Sequence, residues 1–321
     1  MSFAQAVERC VRAGFADGGP VVSVVRQANP YASISPSEIV RVALAGGSTV
    51  PLFLKPMGPF EPGHPDKADW RREGDVYRRL FTDPALPVPA SHGCLPAQGG
   101  SPEALLLEYV DAPSLRYQAF PAWRVAARAL CRLHLHFASR ADELRALPSL
   151  LRLDDAYFES WAARAIGVAR ARSDALGQRL GHAMRGHAAV LQRLRQQPPT
   201  LVHNDLAPKN VLVGGDGRGP VRIVDWEMAG IGPGLLDLAH LLAGLGEDDE
   251  RGLVEAYLDE AARAQPGRIV RGDPGSAIAA CKVAKGLHRL ARSDRWNLSD
   301  DAIRQRIDEI ERETARAGQR R

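Results

Sequence analysis

Residues 201–213 read Leu201-Val202-His203-Asn204-Asp205-Leu206-Ala207-Pro208-Lys209-Asn210-Val211-Leu212-Val213. An apolar run enters a polar loop and a second apolar run leaves it, which predicts strand, loop, strand. Asp205 and Asn210 stand five residues apart in the loop. Twelve residues after Val213, in Ile223-Val224-Asp225-Trp226-Glu227, another short strand ends on an acid. The pattern predicts that adjacent strands bring Asp205, Asn210 and Asp225 to one rim of a small sheet. These residue types suit phosphoryl transfer. A transferring phosphoryl group carries dense negative charge, so a protein must hold metal and position the nucleophile. Asn210 and Asp225 offer hard oxygen ligands for Mg²⁺. Asp205, outside that shell, is placed to orient a substrate hydroxyl and accept its proton.

Outward from this stretch the chain alternates in character. Val21–Arg26, Glu38–Leu44, Thr49–Leu54 and Ala104–Val110 read as strands, with Ala45-Gly46-Gly47-Ser48 as the turn of a hairpin. Asp69–Phe81 reads as a helix with an apolar stripe through Val76, Leu80 and Phe81. Helical periodicity then dominates: Ala119–Phe137, Ala156–Ile166, Ala175–Arg195, Leu235–Leu245, Glu250–Arg263, Gly275–Arg292 and Asp300–Arg316. A β-rich interlude interrupts it at Thr200–Val202, Val211–Val213 and Val221–Val224. The natural boundary is near Asp111, with a small sheet-bearing domain over residues 1–110 and a larger helical one over 111–321.

The 321 residues are 45% hydrophobic and 25% charged, an ordinary globular balance that can bury a core without staples. Cys10, Cys94, Cys131 and Cys281 lie far apart with no CxxC or Cys/His cluster. No zinc site or disulfide framework is therefore expected, and a reducing, cytoplasmic setting fits. Met1 to Phe15 carries Glu8, Arg9 and Arg12 among its apolar residues, which is an amphipathic helix rather than a signal peptide. No apolar run approaches a membrane span, and no repeat period is present. The net charge of +4 arises at the C-terminus: residues 281–321 hold eleven Lys/Arg against seven Asp/Glu, and the rest balances. A mixed-charge helical tail is not a nucleic-acid reading element. Neither nucleic acid nor membrane is expected as a partner.

His203-x-Asp205-x-x-x-x-Asn210, then Asp225-Trp226-Glu227, then Gly234-Leu235-Leu236-Asp237-Leu238-Ala239 resembles the aminoglycoside phosphotransferase and choline kinase-like family. That family is the small-molecule branch of the protein-kinase-like fold. Ala129-Leu130-Cys131-Arg132-Leu133-His134 resembles the helix before its catalytic loop, and Leu86-Pro87-Val88-Pro89 the connection after its N-lobe helix. The resemblance runs from about Val21 to about Leu290. It implies a bilobal α+β fold, with a small antiparallel-sheet N-lobe and a larger, mainly helical C-lobe. It implies an ATP- and Mg²⁺-dependent enzyme that phosphorylates a hydroxyl of a small molecule.

The resemblance also asks for a phosphate-binding lysine paired with a glutamate. Lys55 follows the strand Thr49–Leu54, and Glu73 is the one glutamate of the helix Asp69–Phe81, seven residues before Leu80. Lys67, beyond a Pro/Gly-rich loop, is read as solvated. The Glu108 carbonyl and Val110 amide are implied to meet the adenine edge between the lobes, whose closure about a hinge at Asp111 would exclude water. Both are backbone groups, so the sequence does not choose between ATP and GTP. Lys209 either neutralises charge near the γ-phosphate or points to solvent. His203 is read as structural, Asp237 as a buried brace of the catalytic loop, and Glu227 as near the acceptor or a metal-bound water.

Some features depart from the wider pattern. The loop Asn29–Ser35 lacks a G-x-G-x-x-G run, so Ser33 or Ser35 hydroxyls, or loop amides, would serve the phosphates. Asn204 replaces a common glycine and tolerates unusual backbone angles. Only eleven residues separate Asp225 from Asp237, too few for a peptide-docking segment, which disfavours a protein kinase. A nucleotide-binding pseudokinase would lack a metal or base residue, whereas Lys55, Glu73, Asp205, Asn210 and Asp225 are all present. Residues 147–195 hold eight arginines and four acids, and Lys282, Lys285 and Arg289 fall at helical spacing. Such a face suits a neutral or anionic acceptor better than a polycation. The acidic run Glu247–Glu250 reads as a helix N-terminus.

Overall fold

In the computed structural model the described residues are 3–12, 19–31, 36–61, 64–97, 102–264, 267–293 and 298–319. Ser33 and Ser35 lie outside them. The chain forms two compact units: Met1–Gln118 together with Lys209–Met228, and Ala119–Pro208 together with Ala229–Arg321.

The first unit is built on five antiparallel strands in the order β1-β2-β3-β5-β4. These are β1 (Val21–Ala28), β2 (Glu38–Leu44), β3 (Thr49–Pro56), β4 (Ser91–Leu95) and β5 (Ala104–Glu108). The Gly-Gly turn closes the β2–β3 hairpin as the sequence suggests, with Gly47 at φ 83, a conformation that favours glycine. Strand alternation divides the sheet's two faces. Val40, Val42, Leu44, Leu52, Leu54, Ala104 and Leu106 form one buried cluster. The helix α1 (Phe3–Arg12) completes it with Ala6, Val7 and Val11, residues of one helical stripe. Each of these valines contributes about 1.5–3 kcal/mol by leaving water. By the same period of two, Lys55 falls on the opposite face, paired across the ladder with Leu105.

On α2 (Arg72–Arg79), Glu73, Val76, Tyr77 and then Leu80 share one buried stripe, so helical phase alone turns Glu73 inward. Gly74 allows close packing there, because a Cβ would sit 2.8 Å from Met57 Sδ. The short pair β8 (Val211–Val213) and β9 (Val221–Ile223) belongs to this unit too. Val213 N donates to Pro113 O at 3.2 Å, and Ile223 N to Pro87 O at 2.8 Å.

The second unit is mainly helical. Its helices are α3 (Phe120–Ala138), α4 (Ala141–Arg145), α5 (Asp155–Arg172), α6 (Asp174–Ala183), α7 (His187–Gln196), α8 (Leu235–Leu241), α9 (Glu247–Ala264), α10 (Pro274–Leu290) and α11 (Asp300–Gly318). α10 lies at the middle, packed on α5, α7, α8 and α11. The acids Glu247–Glu250 do open α9. The single helix expected over Ala175–Arg195 is broken by a 3₁₀ turn at Met184–Gly186. α11 approaches so closely there that a Cβ on Gly186 would lie 2.6 Å from Thr314 Cγ2.

A three-stranded sheet, β6-β10-β7, joins β6 (Leu151–Arg152), β10 (Gly230–Pro233) and β7 (Pro199–Val202). This corrects the expectation of one small sheet. Asp205 follows β7 in this sheet, whereas Asn210 and Asp225 flank the separate β8–β9 pair. Pro208 and the 3₁₀ turn Pro208–Asn210 redirect the chain between them, since proline cannot donate to a ladder. β10 escaped the sequence because Gly230-Ile231-Gly232-Pro233 reads as a turn. Its glycines serve close approach: Cβ atoms on Gly230 and Gly232 would meet Leu151 and Leu153 at 3.0 and 2.7 Å. Among the described residues no helix is long and apolar enough to cross a membrane.

Candidate active site

The first unit gathers three of the expected residues. Lys55 Nζ lies 2.6 Å from Glu73 Oε2 and 2.5 Å from Asp225 Oδ1. Glu73 also accepts from Trp226 N at 3.1 Å, so one buried carboxylate orients both the lysine and the turn after Asp225. Trp226 is fully buried, donates Nε1–H to Ile223 O at 2.9 Å and packs edge-on to Phe81. Asp225 itself takes φ 73, in the left-handed region uncommon for non-glycine residues. Burial pushes the Lys55 ammonium down, but the charges of Asp225, Glu73 and Glu227 outweigh it and hold it well above the ordinary lysine range. Lys55 is therefore a permanent cation at neutral pH.

Asn210 is buried at the mouth of β8, and its carbonyl accepts from Val224 N at 2.9 Å, which sets it beside the residue that precedes Asp225. One carboxylate and one amide oxygen are hard donors and suit an ion that draws its other ligands from phosphate and water. Among the described residues there is no cluster of three or more His, Cys, Asp and Glu that could cage a metal. Lys209 is exposed and makes no hydrogen bond or ion pair among the described residues. Glu108 closes β5, and its side chain accepts from Ala90 N at 3.0 Å and Arg222 Nε at 3.2 Å. Val110 lies two residues beyond the strand, half-buried.

Lys67 is not solvated as expected. It bridges Glu61 at 2.7 Å and Glu227 at 2.5 Å, and Arg72 Nη1 donates to Glu227 O at 2.6 Å. The loop after Pro56 folds back through a 3₁₀ turn, Pro65–Lys67, and brings these cations to the segment following Asp225. With five lysines among 42 basic residues, the rarity of lysine was the signal that could have marked Lys67.

In the second unit, Asp205 projects from the loop after β7 with its carboxylate partly exposed. The loop is braced from below. Asp237, fully buried in the first turn of α8, accepts from His203 N at 2.7 Å and Asn204 N at 2.9 Å. His134 Nε2 lies 3.3 Å from the same carboxylate, and His134 Nδ1 lies 2.7 Å from Tyr257 Oη. Burial raises the Asp237 pKa, but the His134 hydrogen bond and the charges of His134, His203 and Lys285 bring it below the usual value. His203 Nδ1 accepts from Asp205 N at 3.2 Å, so this histidine shapes the turn.

Asn204 adopts φ 66 and uses its amide fully. Nδ2 donates to Tyr157 Oη at 3.0 Å, and Oδ1 accepts from the buried Lys285 at 2.7 Å. A glycine there would supply the backbone angle but neither bond. Tyr157 and Lys285 were not picked out as partners of this loop. A lysine flanked by apolar residues, Val283-Ala284-Lys285-Gly286-Leu287, within the helix Pro274–Leu290 was the available signal for Lys285. His240 Nε2 stands 4.0 Å from Asp205 Oδ1. Burial, then the charges of Lys285, Arg289, His203 and His288, hold His240 well below the ordinary histidine value. It is neutral at pH 7 and forms no ion pair with Asp205.

Gly234 is fixed by this brace, because a Cβ would lie 2.7 Å from His134 Nδ1. Gly234→Ala is expected to cost about 1–3 kcal/mol through overpacking. Urea unfolding reads this as a lower midpoint with an unchanged slope. An unchanged midpoint would mean that the His134–Asp237 brace yields easily.

Solved structures share this fold at low identity. The microcompartment-associated aminopropanol kinase superposes with a TM-score of 0.59 at 15% identity, over 96% of this chain and 95% of that one. Choline kinase from Cryptosporidium parvum Iowa II gives 0.58 at 13%, over 91% and 89%. Spectinomycin phosphotransferase, solved with ADP and spectinomycin, gives 0.51 at 12%, over 98% of each chain. No curated protein matches the sequence. These likenesses establish the bilobal, protein-kinase-like α+β fold anticipated from the motifs. The family model described as the phosphotransferase enzyme family matches residues 39–274, which spans Lys55, Glu73, Asp205, Asn210, Asp225 and Asp237, and the chain belongs to that family.

Proposed function

We propose that this phosphotransferase is a Mg²⁺-dependent kinase that moves the γ-phosphoryl group of ATP to a hydroxyl of a small molecule. The observation that carries the reading is the Lys55 ammonium held between buried Glu73 and Asp225. A point charge so fixed suits the α- and β-phosphates of a nucleotide. The ADP bound to the spectinomycin enzyme supports a nucleoside phosphate as ligand. In this reading Asn210 and Asp225 hold Mg²⁺, whose chemistry is to offset charge on the phosphate oxygens. Lys209, beside Asn210, adds a positive charge. The Glu108 carbonyl and Val110 amide bind the base edge.

Asp205 orients the acceptor hydroxyl and takes its proton. The hydroxyl oxygen forms a bond to the γ-phosphorus, the bond from that phosphorus to the bridging oxygen breaks, and ADP leaves with the electron pair. The short course from Asp225 to Asp237 favours a small acceptor over a peptide. The four free thiols suit a reducing compartment such as the cytoplasm.

A thermal-shift measurement tests the reading. A ligand that binds only the folded state stabilises it by about 2.7 kcal/mol at a hundred times its Kd. Millimolar Mg-ATP is expected to raise the melting temperature by several degrees, and Lys55→Met to remove most of that rise. No shift of the wild-type protein would contradict the proposal.

A further inference from the structure

The cations of α10 separate once their partners are traced, and this narrows what the acceptor can be. Lys282 pairs with Glu250 and lies 3.8 Å from Glu313, so its charge is used between helices. Lys285 is buried, and its Nζ donates to Asn204 O at 2.6 Å and Asn204 Oδ1 at 2.7 Å. It holds the residue that precedes Asp205 and has little left for a ligand. Arg289 is four residues further on, over the same helix face, where Cβ atoms lie about 5–6 Å apart. Among the described residues it makes no hydrogen bond and no ion pair.

The surroundings of Arg289 do not compensate it. Burial and the nearby Arg306 disfavour its charge, while Asp205 and Glu309 favour it more weakly. Glu309 is exposed on α11, so water screens it. His240, also beside Asp205, is neutral and its Nδ1 is buried without a partner among the described residues. Arg289 is half-buried, and with no protein partner among the described residues its guanidinium donors remain open to a ligand. A carboxylate or phosphate meets its planar fork with two parallel, charge-assisted hydrogen bonds. A cationic acceptor would instead face Lys285, Arg289 and Arg306 together.

We propose that Arg289 is the specificity-determining residue for the acceptor, and that it binds an anionic group of a small hydroxylated molecule whose reacting hydroxyl lies at Asp205. The inference rests on the kinase reading above. Asp205 lies near enough to act on the Arg289 charge, so hydroxyl and anion are expected on one small molecule, such as a short hydroxy acid or a polyol phosphate.

The test uses a matched series of three- and four-carbon polyols that end in a neutral CH₂OH, a carboxylate, a phosphate or an ammonium group. Binding to the full-length protein is read by calorimetry, and transfer from Mg-ATP is read separately. The carboxylate or the phosphate members are expected to bind best, and which of them does so identifies the source of the anion. Arg289→Ala is expected to lower the preference for anion over neutral member by at least about tenfold, as the loss of a charge-assisted pair implies. Arg289→Lys, which keeps the charge without the fork, should recover part of it and shows that the helix has not collapsed. Ammonium members binding as well as anionic ones, no anionic member binding at millimolar concentration, or an Arg289→Ala variant with its preference intact would overturn the inference. Anion binding through Arg289 without any transfer would keep Arg289 as an anion site but remove the kinase reading and, with it, its role toward a phosphoryl acceptor. Transfer to ammonium acceptors alone would do the reverse.

Discussion

If Asp205 is the base proposed above, Asp205→Ala is expected to lower kcat for the true acceptor by about 10²–10⁴-fold, the range for loss of a positioned general base. The reason lies in the loop. His203, Asn204 and Asp237 fix its backbone, and Lys285 holds it from α10, while the carboxylate stays partly exposed. Removing it leaves those bonds in place. The Mg-ATP thermal shift is therefore expected to persist, because Lys55, Glu73, Asn210 and Asp225 belong to the other unit and are untouched. Asp205→Asn keeps the shape and should lose nearly as much rate, since an amide orients a hydroxyl but takes no proton. The pair of variants separates chemistry from packing. Near-normal turnover by either would strip Asp205 of the role of base.

Asp237→Ala is expected to damage the fold as much as the reaction. Its carboxylate satisfies two backbone N–H groups and lies against His134, all in a region without solvent. Truncation leaves these donors unpaired at about 1–3 kcal/mol each. A loss of about 3–5 kcal/mol is a large part of a domain's stability. Urea unfolding at pH 7 should show it plainly.

The acid dependence has a definite sign. The carboxyl titrates below its unfolded value. Its stabilisation is thus fully present above about pH 4, the unfolded aspartate range, and is lost as pH falls through the folded pKa. The gap between wild type and variant should narrow on acidification below about pH 4. A gap constant across that range would mean that the charge of Asp237 is not what braces the loop.

The strand and helix that carry Lys55 and Glu73 could be read from residues alone because local periods are strict, whereas the family resemblance picked out those two residues. The period of two along Thr49–Pro56 put Lys55 opposite the α1 cluster, and the helical period through Glu73, Val76 and Leu80 turned Glu73 inward. Their meeting with Asp225 needed the fold, and the family resemblance supplied that expectation. Strand pairing was less legible. β7 and β8 are separated only by the polar loop, yet they enter different sheets, because β7's partner is a Gly-rich strand without β character in its sequence.

Charge was the least legible property. Lys282, Lys285 and Arg289 look equivalent at helical spacing, but one is neutralised by Glu250, one is consumed by Asn204, and one has no partner among the described residues. Lys67 looked solvated because its two carboxylate partners, Glu61 and Glu227, come from a folded-back loop and from a segment far along the chain. Spacing fixes which face a side chain takes; only tertiary neighbours decide what its charge does there.

The most direct measurement is phosphorus NMR of the purified protein with Mg-ATP and a pool of hydroxylated small molecules. The γ-phosphate resonance should decay while ADP and one new phosphomonoester resonance grow in equal amount, and Asp205→Ala should abolish the new resonance. Decay to inorganic phosphate alone, formation of AMP and pyrophosphate, or no decay at all would contradict a kinase that delivers its phosphoryl group to a small-molecule hydroxyl.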